Sequence, residues 1–304
     1  MPNKIKLILN PTANHGRSVQ AAADLRTLMI NQDASWSGTE YPGHAIELAR
    51  QAGQDGCHLV VAVGGDGTVH EVINGLMQVP QENRPALGIV PLGSGNDFAH
   101  ILGIPADPSE ALLSAVHGEP HFLDVGSICD ENNRLEYFNN TTSMGFDSVV
   151  NMYTRKITVI HGFLMYFVAL MITIFRHFDP IDLHVETDQE TWDLSALMLA
   201  IGNGPREGGG FIVTPEAKLD DGILNYVTIK KISRLMMLRL VPEVMNGTHG
   251  RFKQVRMGTC RRMSVTSKQP LYIHCDGEIY AGFGTDVHNI TIQILPKSLQ
   301  LLKK

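Results

Sequence analysis

With 304 residues, a formal net charge of −6 and 43% hydrophobic residues, the chain is long enough for two domains with separate cores. Its composition excludes a disordered, fibrous or disulfide-built protein. Four cysteines (Cys57, Cys129, Cys260, Cys275) form no C-x-x-C pair and no His-linked ligand spacing, which argues against structural zinc and fits a reducing cytosol.

Met1 to Leu9 reads as a strand with two lysines rather than a charged region leading into a long apolar one, so no signal peptide is expected. The strand, Ile5 to Leu9, runs into the polar loop Asn10-Pro11-Thr12-Ala13-Asn14 and then an Ala- and Leu-rich helix to about Met29. Ala34 to Thr39 predicts a second strand, His44 to Gln54 a helix, Leu59 to Val63 a third strand and Ala86 to Pro91 a fourth. This βα alternation predicts an α/β domain with a parallel sheet and helices on both faces. Ligands of such sheets bind at the carboxyl ends of the strands.

The central stretch is Leu59 to Thr68, L-V-V-A-V-G-G-D-G-T, a buried strand, a tight turn and the start of a helix. Gly64, Gly65 and Gly67 leave the backbone open to an approaching phosphate, which amide N–H groups and the positive helix end would hold. Asp66 among such amides would repel a bare phosphate, and a divalent cation explains it. A third loop, Leu92-Gly93-Ser94-Gly95-Asn96-Asp97, falls at the same sheet edge. The P-loop G-x-x-x-x-G-K-[ST] and the dinucleotide G-x-G-x-x-G are both missing, which disfavours a P-loop NTPase and a dinucleotide dehydrogenase.

N-P-T-A-N, G-G-D-G-T with Glu71 and Asn74 behind it, and P-L-G-S-G-N-D-F-A together resemble the catalytic domain of the diacylglycerol kinase-type lipid kinases, which include bacterial soluble diacylglycerol kinases and sphingosine kinases. The likeness continues through Met144-Gly145-Phe146-Asp147, Gly202-Asn203-Gly204-Pro205, Gly208-Gly209-Gly210-Phe211, Lys218-Leu219-Asp220-Asp221-Gly222 and Asp276-Gly277-Glu278. It covers nearly the whole chain. One position departs: His100 stands where the family commonly carries Arg.

The resemblance implies a nucleotide-binding kinase domain over residues 1–124 and a β-rich, sandwich-like lipid-acceptor domain over 125–295. The tail 296–304 would return to the first domain, with ATP in a cleft between the two. ATP contacts carry over to Asn10, Pro11, Thr12, Ala13, Asn14, Thr39, Gly65, Asp66, Gly67, Thr68, Val69, His70, Glu71 and Ser94. Asp66, Asp97 and Asp124 correspond to carboxylates that organise Mg²⁺ largely through water, and Glu278 to the general base. A structural metal site maps to Lys218, Asp221 and Ile223. The implied activity is Mg²⁺- and ATP-dependent phosphoryl transfer to a hydroxyl of a membrane lipid such as diacylglycerol. The alternatives are a soluble acceptor, as in NAD kinases, or a non-catalytic lipid-binding regulator.

Two features are read from the residues alone. Between Lys230 and Lys268 there are ten Lys or Arg and one acid, Glu243. Arg251, Lys253, Arg256, Arg261 and Arg262 are read as a strand pair facing an anionic membrane surface, with no nucleic-acid partner expected and a homodimer left open. Ile157 to Phe175 is a run of 19 residues without formal charge. It predicts a helix lining an acyl pocket or lying at the interface rather than a span, on a cytoplasmic protein at the inner membrane face.

Overall fold

The computed structural model describes residues 4–13, 17–157 and 163–304. The chain forms two compact units, one of Met1–Val125 with Pro296–Lys304 and the other of Gly126–Leu295.

In the first unit, β1 (Ile5–Leu9), α1 (Arg17–Leu28), β2 (Ala34–Gly38), α2 (His44–Gln54), β3 (Leu59–Gly64), α3 (Asp66–Leu76), β4 (Ala86–Pro91), α4 (Asp97–Ile101) and α5 (Pro108–His117) follow in order. The strands are parallel in the order β2-β1-β3-β4. All residues of β3 and β4 are buried, as expected of strands covered on both faces. Ala22, Leu25 and Met29 of the first helical segment join Ala111 and Leu112 of α5 in a core against Leu7, Val61 and Val90. α2 packs on α3 closely enough that a Cβ on Gly75 would lie 2.3 Å from the Ile46 carbonyl oxygen. Because β2 lies on one side of β1 and β3 on the other, the order reverses between β1 and β3. The loops that leave those two strands therefore flank a topological switch point.

β5 (Glu119–Asp130) carries the chain into the second unit. There β6 (Leu135–Phe138), β7 (Thr141–Gly145), α6 (Phe146–Thr154), α7 (Phe163–Arg176), β8 (Ile181–Thr187) and β9 (Thr191–Gly202) follow. Next come β10 (Arg206–Glu207), β11 (Phe211–Ile212), β12 (Leu224–Lys230), α8 (Arg234–Met245), β13 (Val255–Cys260), β14 (Arg262–Ser267), β15 (Ile273–Cys275), β16 (Glu278–Ala281) and β17 (Asn289–Lys303). The strands pair in the order β16-β15-β7-β9-β8-β14-β17, with β12 on β9 and β13 on β12. β9 serves two partners in succession: Thr191 to Ala196 pairs with β8, and Met198 to Gly202 with β7 and β12. One face buries Phe138, Leu199, Tyr226 and Ile292, and the other packs Leu197, Val227 and Ile229 against α6, α7 and α8. The end of β17 belongs to the first unit, where Leu301 pairs with Leu87 of β4.

Two readings change here. The apolar stretch becomes the 14-residue helix α7, with residues 158–162 outside the described part. No helix among the described residues is long and apolar enough to cross a membrane. The basic block is not one strand pair. β13 bonds to β12 while β14 bonds to β8 and β17, because the turn at Arg261 redirects the chain onto Asp188, whose carboxylate accepts the Arg261 and Arg262 N–H groups. Two of its cations are also paired with acids at the surface. Arg251 pairs with Glu243, and Arg256 pairs with Glu190 while lying over the Trp192 ring.

Candidate functional site

At the switch point of the first unit, the β1 and β3 loops are tied together by side chains. Asn10 Nδ2 donates to Thr68 Oγ1 at 3.2 Å, and Asn10 Oδ1 accepts from the N–H and hydroxyl of Thr12. Thr39 N–H donates to the Leu9 carbonyl, so the β2 end joins the same edge. Pro11, Thr12 and Ala13 follow Asn10 in this loop, whereas Asn14 lies outside the described residues.

Gly65 opens α3 with no side-chain cap, so the amides of the first turn, Asp66 and Gly67 among them, lie at an uncapped positive helix end. The glycines of G-G-D-G-T also have packing reasons that the sequence reading lacked. A Cβ on Gly64 would lie 2.4 Å from Thr68 Oγ1, and one on Gly65 3.0 Å from Gly93 Cα. The β3 loop and the Gly93 loop are thus back to back. Asn96, at φ 52, bonds both backbone groups of Gly93.

The remaining nucleotide candidates divide by role. Ser94 is exposed on the Gly93 loop, and His100 is exposed on α4. Val69 and His70 are buried in α3, with His70 beside Asn74. Glu71 accepts the Gly43 and Ala45 N–H groups at 2.8 and 3.1 Å, which fixes the start of α2.

Asp66 accepts the Phe98 N–H at 3.3 Å, which sets it beside Asp97, itself only 5% exposed. Asp124, buried, accepts the Lys297 N–H at 2.7 Å. Among the described residues these three carboxylates do not converge to direct-ligand spacing, whereas Asp147, Glu207 and His274 do, with ligand atoms within 4.8 Å of one another. Lys218, Asp221 and Ile223 share one loop before β12. There Gly222 has φ 71 and Asp221 Oδ1 accepts the Ile223 N–H at 3.1 Å.

In the second unit, Glu278 follows a two-residue hairpin. Cys275 pairs with Glu278, and Asp276 and Gly277 both have positive φ, 50 and 87, as a type I′ turn requires. Asp276 accepts the N–H groups of Asn139, Asn140 and Thr141, at 2.9, 2.8 and 3.0 Å. Three such bonds to one carboxylate hold the hairpin to the start of β7 and offset the left-handed backbone of Asp276. Arg155 donates to both the Gly277 carbonyl and the Glu278 carboxylate.

The Asp147, Glu207 and His274 cluster was not singled out from the sequence. Asp147 stood in a recognised motif without a role, and Glu207 and His274 carried no periodic or spacing signal. His274 Nδ1 accepts from the Gly277 N–H and Nε2 reaches Asp147 at 3.1 Å, so the neutral tautomer donates from Nε2. Burial works to raise the Asp147 carboxyl. The hydrogen bond that Asp147 accepts from His274, with its hydrogen-bonded contacts to Glu207 and Ser143, outweighs burial and holds Asp147 below the ordinary carboxylate range. Thr141 donates its hydroxyl to Glu207.

Asp147 and Glu207 also form the polar end of a cavity whose walls are otherwise apolar, including Phe146, Leu170, Met198, Ile229 and Met237. The cavity volume is about 70 Å³. The chamber is thus apolar along its walls, with the carboxylate oxygens of Asp147 and Glu207 at one end.

Residues 4–128 match the model of the diacylglycerol kinase catalytic domain, and residues 140–303 match that of the YegS C-terminal NAD kinase beta sandwich-like domain. A YegS-like lipid kinase of Chromohalobacter salexigens is 37% identical over 214 residues, 70% of this chain and 66% of the relative. A diacylglycerol kinase of Mycobacterium tuberculosis is 29% identical over 99% of this chain and 95% of the relative. The solved structure of a diacylglycerol kinase from Bacillus anthracis str. Sterne superposes with a TM-score of 0.71 over 99% of this chain and 97% of that one. At 18% identity that likeness shows the fold. The chain belongs to the diacylglycerol kinase-type lipid kinase family.

Proposed function

We propose that this protein is a Mg²⁺- and ATP-dependent lipid kinase that transfers the γ-phosphate to a hydroxyl of a membrane lipid such as diacylglycerol. The observation that carries the acceptor class is the apolar cavity of the second unit, whose polar end is joined through His274 to the Glu278 hairpin. A soluble, highly charged acceptor such as NAD would find no charge partner along those walls, which favours the lipid over that alternative.

In this reading residues 1–124 with 296–304 bind nucleotide, and 125–295 bind the acceptor. The switch-point loops, Asn10 to Asn14, Thr39, Gly65 to Glu71 and Ser94, take the ATP phosphates and nucleoside. Asp66, Asp97 and Asp124 fit Mg²⁺ in a particular way. All three are carboxylates of the nucleotide unit, the donor type Mg²⁺ prefers, and among the described residues they do not converge as direct ligands, which suits an ion that keeps several waters. The metal would neutralise charge on the phosphates. Lys218, Asp221 and Ile223 are the candidate structural site, with oxygen donors in a single turn.

Glu278 accepts the acceptor hydroxyl proton as the new P–O bond forms, and Asp276 keeps it in place. Arg155 donates to both the Glu278 carboxylate and the Gly277 carbonyl and so orients the carboxylate. The acceptor enters from a membrane at the cytoplasmic face.

The test is incubation of the purified protein with γ-labelled ATP, Mg²⁺ and a panel of lipids in mixed micelles, beside NAD. Label on a lipid, lost on chelation of the metal, supports the reading; label on NAD alone overturns it, and label on neither leaves the lipid-binding regulator as the better account.

A further inference from the structure

α7 and α8 each use one face on the cavity: Tyr166 and Leu170 of α7, Met237 and Val241 of α8. An ordinary amphipathic helix would turn mainly charged and polar residues to the other side. These two also turn large apolar side chains outward, on α8 beside the exposed Arg234 and Arg239. The outer stripe of α7 is Leu164, Phe167 and Phe175, which are 55%, 42% and 63% exposed and recur at helical spacing; α8 adds Leu235 at 80% and Leu238 at 36%. Large apolar side chains exposed in a row on two neighbouring helices are more than the scattered exposure normal for a protein surface.

Exposed basic residues accompany this stripe. Lys230, Lys231, Arg234 and Arg239 are all exposed, with no acid between the first and the last. Arg234 Nε donates to the Ile174 carbonyl at 2.8 Å, which pins this basic segment against the end of α7. Glu243, the one acid within α8, is engaged by Arg251 and Thr248.

We propose that the outer faces of α7 and α8 form a docking surface for an anionic lipid bilayer. The side chains of the stripe enter the acyl boundary while Lys230, Lys231, Arg234 and Arg239 meet the head groups. A bilayer supplies an apolar interior beneath an anionic surface, which matches a patch that exposes large apolar side chains and cations together. A second copy of the chain would not: a two-fold contact through this face would set the four cations against their own equivalents. The surface is distinct from the block read from the sequence, in which Arg251 and Arg256 pair with Glu243 and Glu190. The purpose of docking rests on the lipid-kinase reading, because the same two helices wall the acceptor cavity and would open it toward the lipid. Docking itself is measured without catalysis.

The experiment sediments the full chain with vesicles of phosphatidylcholine containing phosphatidylglycerol, and with phosphatidylcholine alone. The expected result is binding to the anionic vesicles that salt releases. Partition should fall by about tenfold or more for Phe167→Ser with Leu235→Ser, as expected from losing two inserted apolar side chains. For Lys230→Glu with Lys231→Glu the fall should be on the order of tenfold to a hundredfold. Circular dichroism melts and phosphorylation of a water-soluble short-chain diacylglycerol should stay near wild type in both variants. Equal binding to both vesicle types, or binding unaffected by either variant, overturns the proposal. So does a lipid-free dimer that the Phe167 and Leu235 changes dissociate, which would make the face a self-interface. If vesicle binding behaves as expected and no lipid is phosphorylated, the docking surface stands and the kinase reading fails.

Discussion

Gly93 and Gly65 are in backbone contact: a Cβ built on Gly93 would lie 2.5 Å from Gly65 Cα and 2.7 Å from Asn96 Oδ1. Two glycine loops that look like independent phosphate cradles in the sequence are each other's packing partner. Gly93→Ala should therefore displace the G-G-D-G-T loop as well as its own. Overpacking of this kind costs roughly 1–3 kcal/mol. The expected outcome is a lower melting temperature together with at least a tenfold weaker ATP affinity by calorimetry, since the loop cannot relax without moving Asp66.

Asp66→Asn keeps an acceptor for the Phe98 N–H and removes only the charge. ATP affinity in the presence of Mg²⁺ should fall more than for Ser94→Ala, because an organising charge is lost in one case and a single neutral hydrogen bond in the other. Titrations with and without EDTA measure this. The opposite ranking would show that the metal lies elsewhere.

Glu278→Gln should leave ATP binding and the melting temperature near wild type while turnover drops by a factor on the order of 10² to 10⁴, the usual worth of a positioned base. Asp276→Ala is expected to differ. It removes the acceptor of three N–H groups, so both the melting temperature and turnover should fall. Rapid-quench turnover beside thermal melts separates the two.

Val241→Phe would fill part of the cavity from α8. The KM for a long-chain lipid should rise several-fold, that for a short-chain analogue less, and that for ATP not at all. Steady-state kinetics on two chain lengths would expose a cavity that has no part in acceptor binding.

His249 is fully buried, with Nε2 on the Val213 carbonyl at 3.0 Å, and burial holds its pKa below the ordinary histidine value of 6.5. Around that pH the unfolded chain binds a proton that the folded chain refuses. Stability is therefore full above 6.5 and falls as the pH drops below it. Urea unfolding of the wild type from pH 7.5 to 5 should show this decline, and His249→Gln should flatten it.

Much of this protein is legible in its chain. β1, α2, β3 and β4 follow from short apolar runs and helical periodicity, because in a parallel sheet covered on both faces local pattern and final burial coincide. The glycine loops and the Asp-Gly hairpin before Glu278 are visible because turn geometry is written into one or two residues. Other features needed the tertiary structure. Asp147, Glu207 and His274 come from three separate elements, and only the packing of α6 and the β10 segment beside β15 makes them neighbours. The basic block looked continuous along the chain, yet β13 and β14 take different partners and the ion pairs to Glu190 and Glu243 span loops that no local rule connects. The outward turn of Leu164, Phe167, Leu235 and Leu238 is likewise a tertiary fact. An apolar helix announces that it avoids water, but which of its faces the core leaves uncovered is decided by what packs against the other.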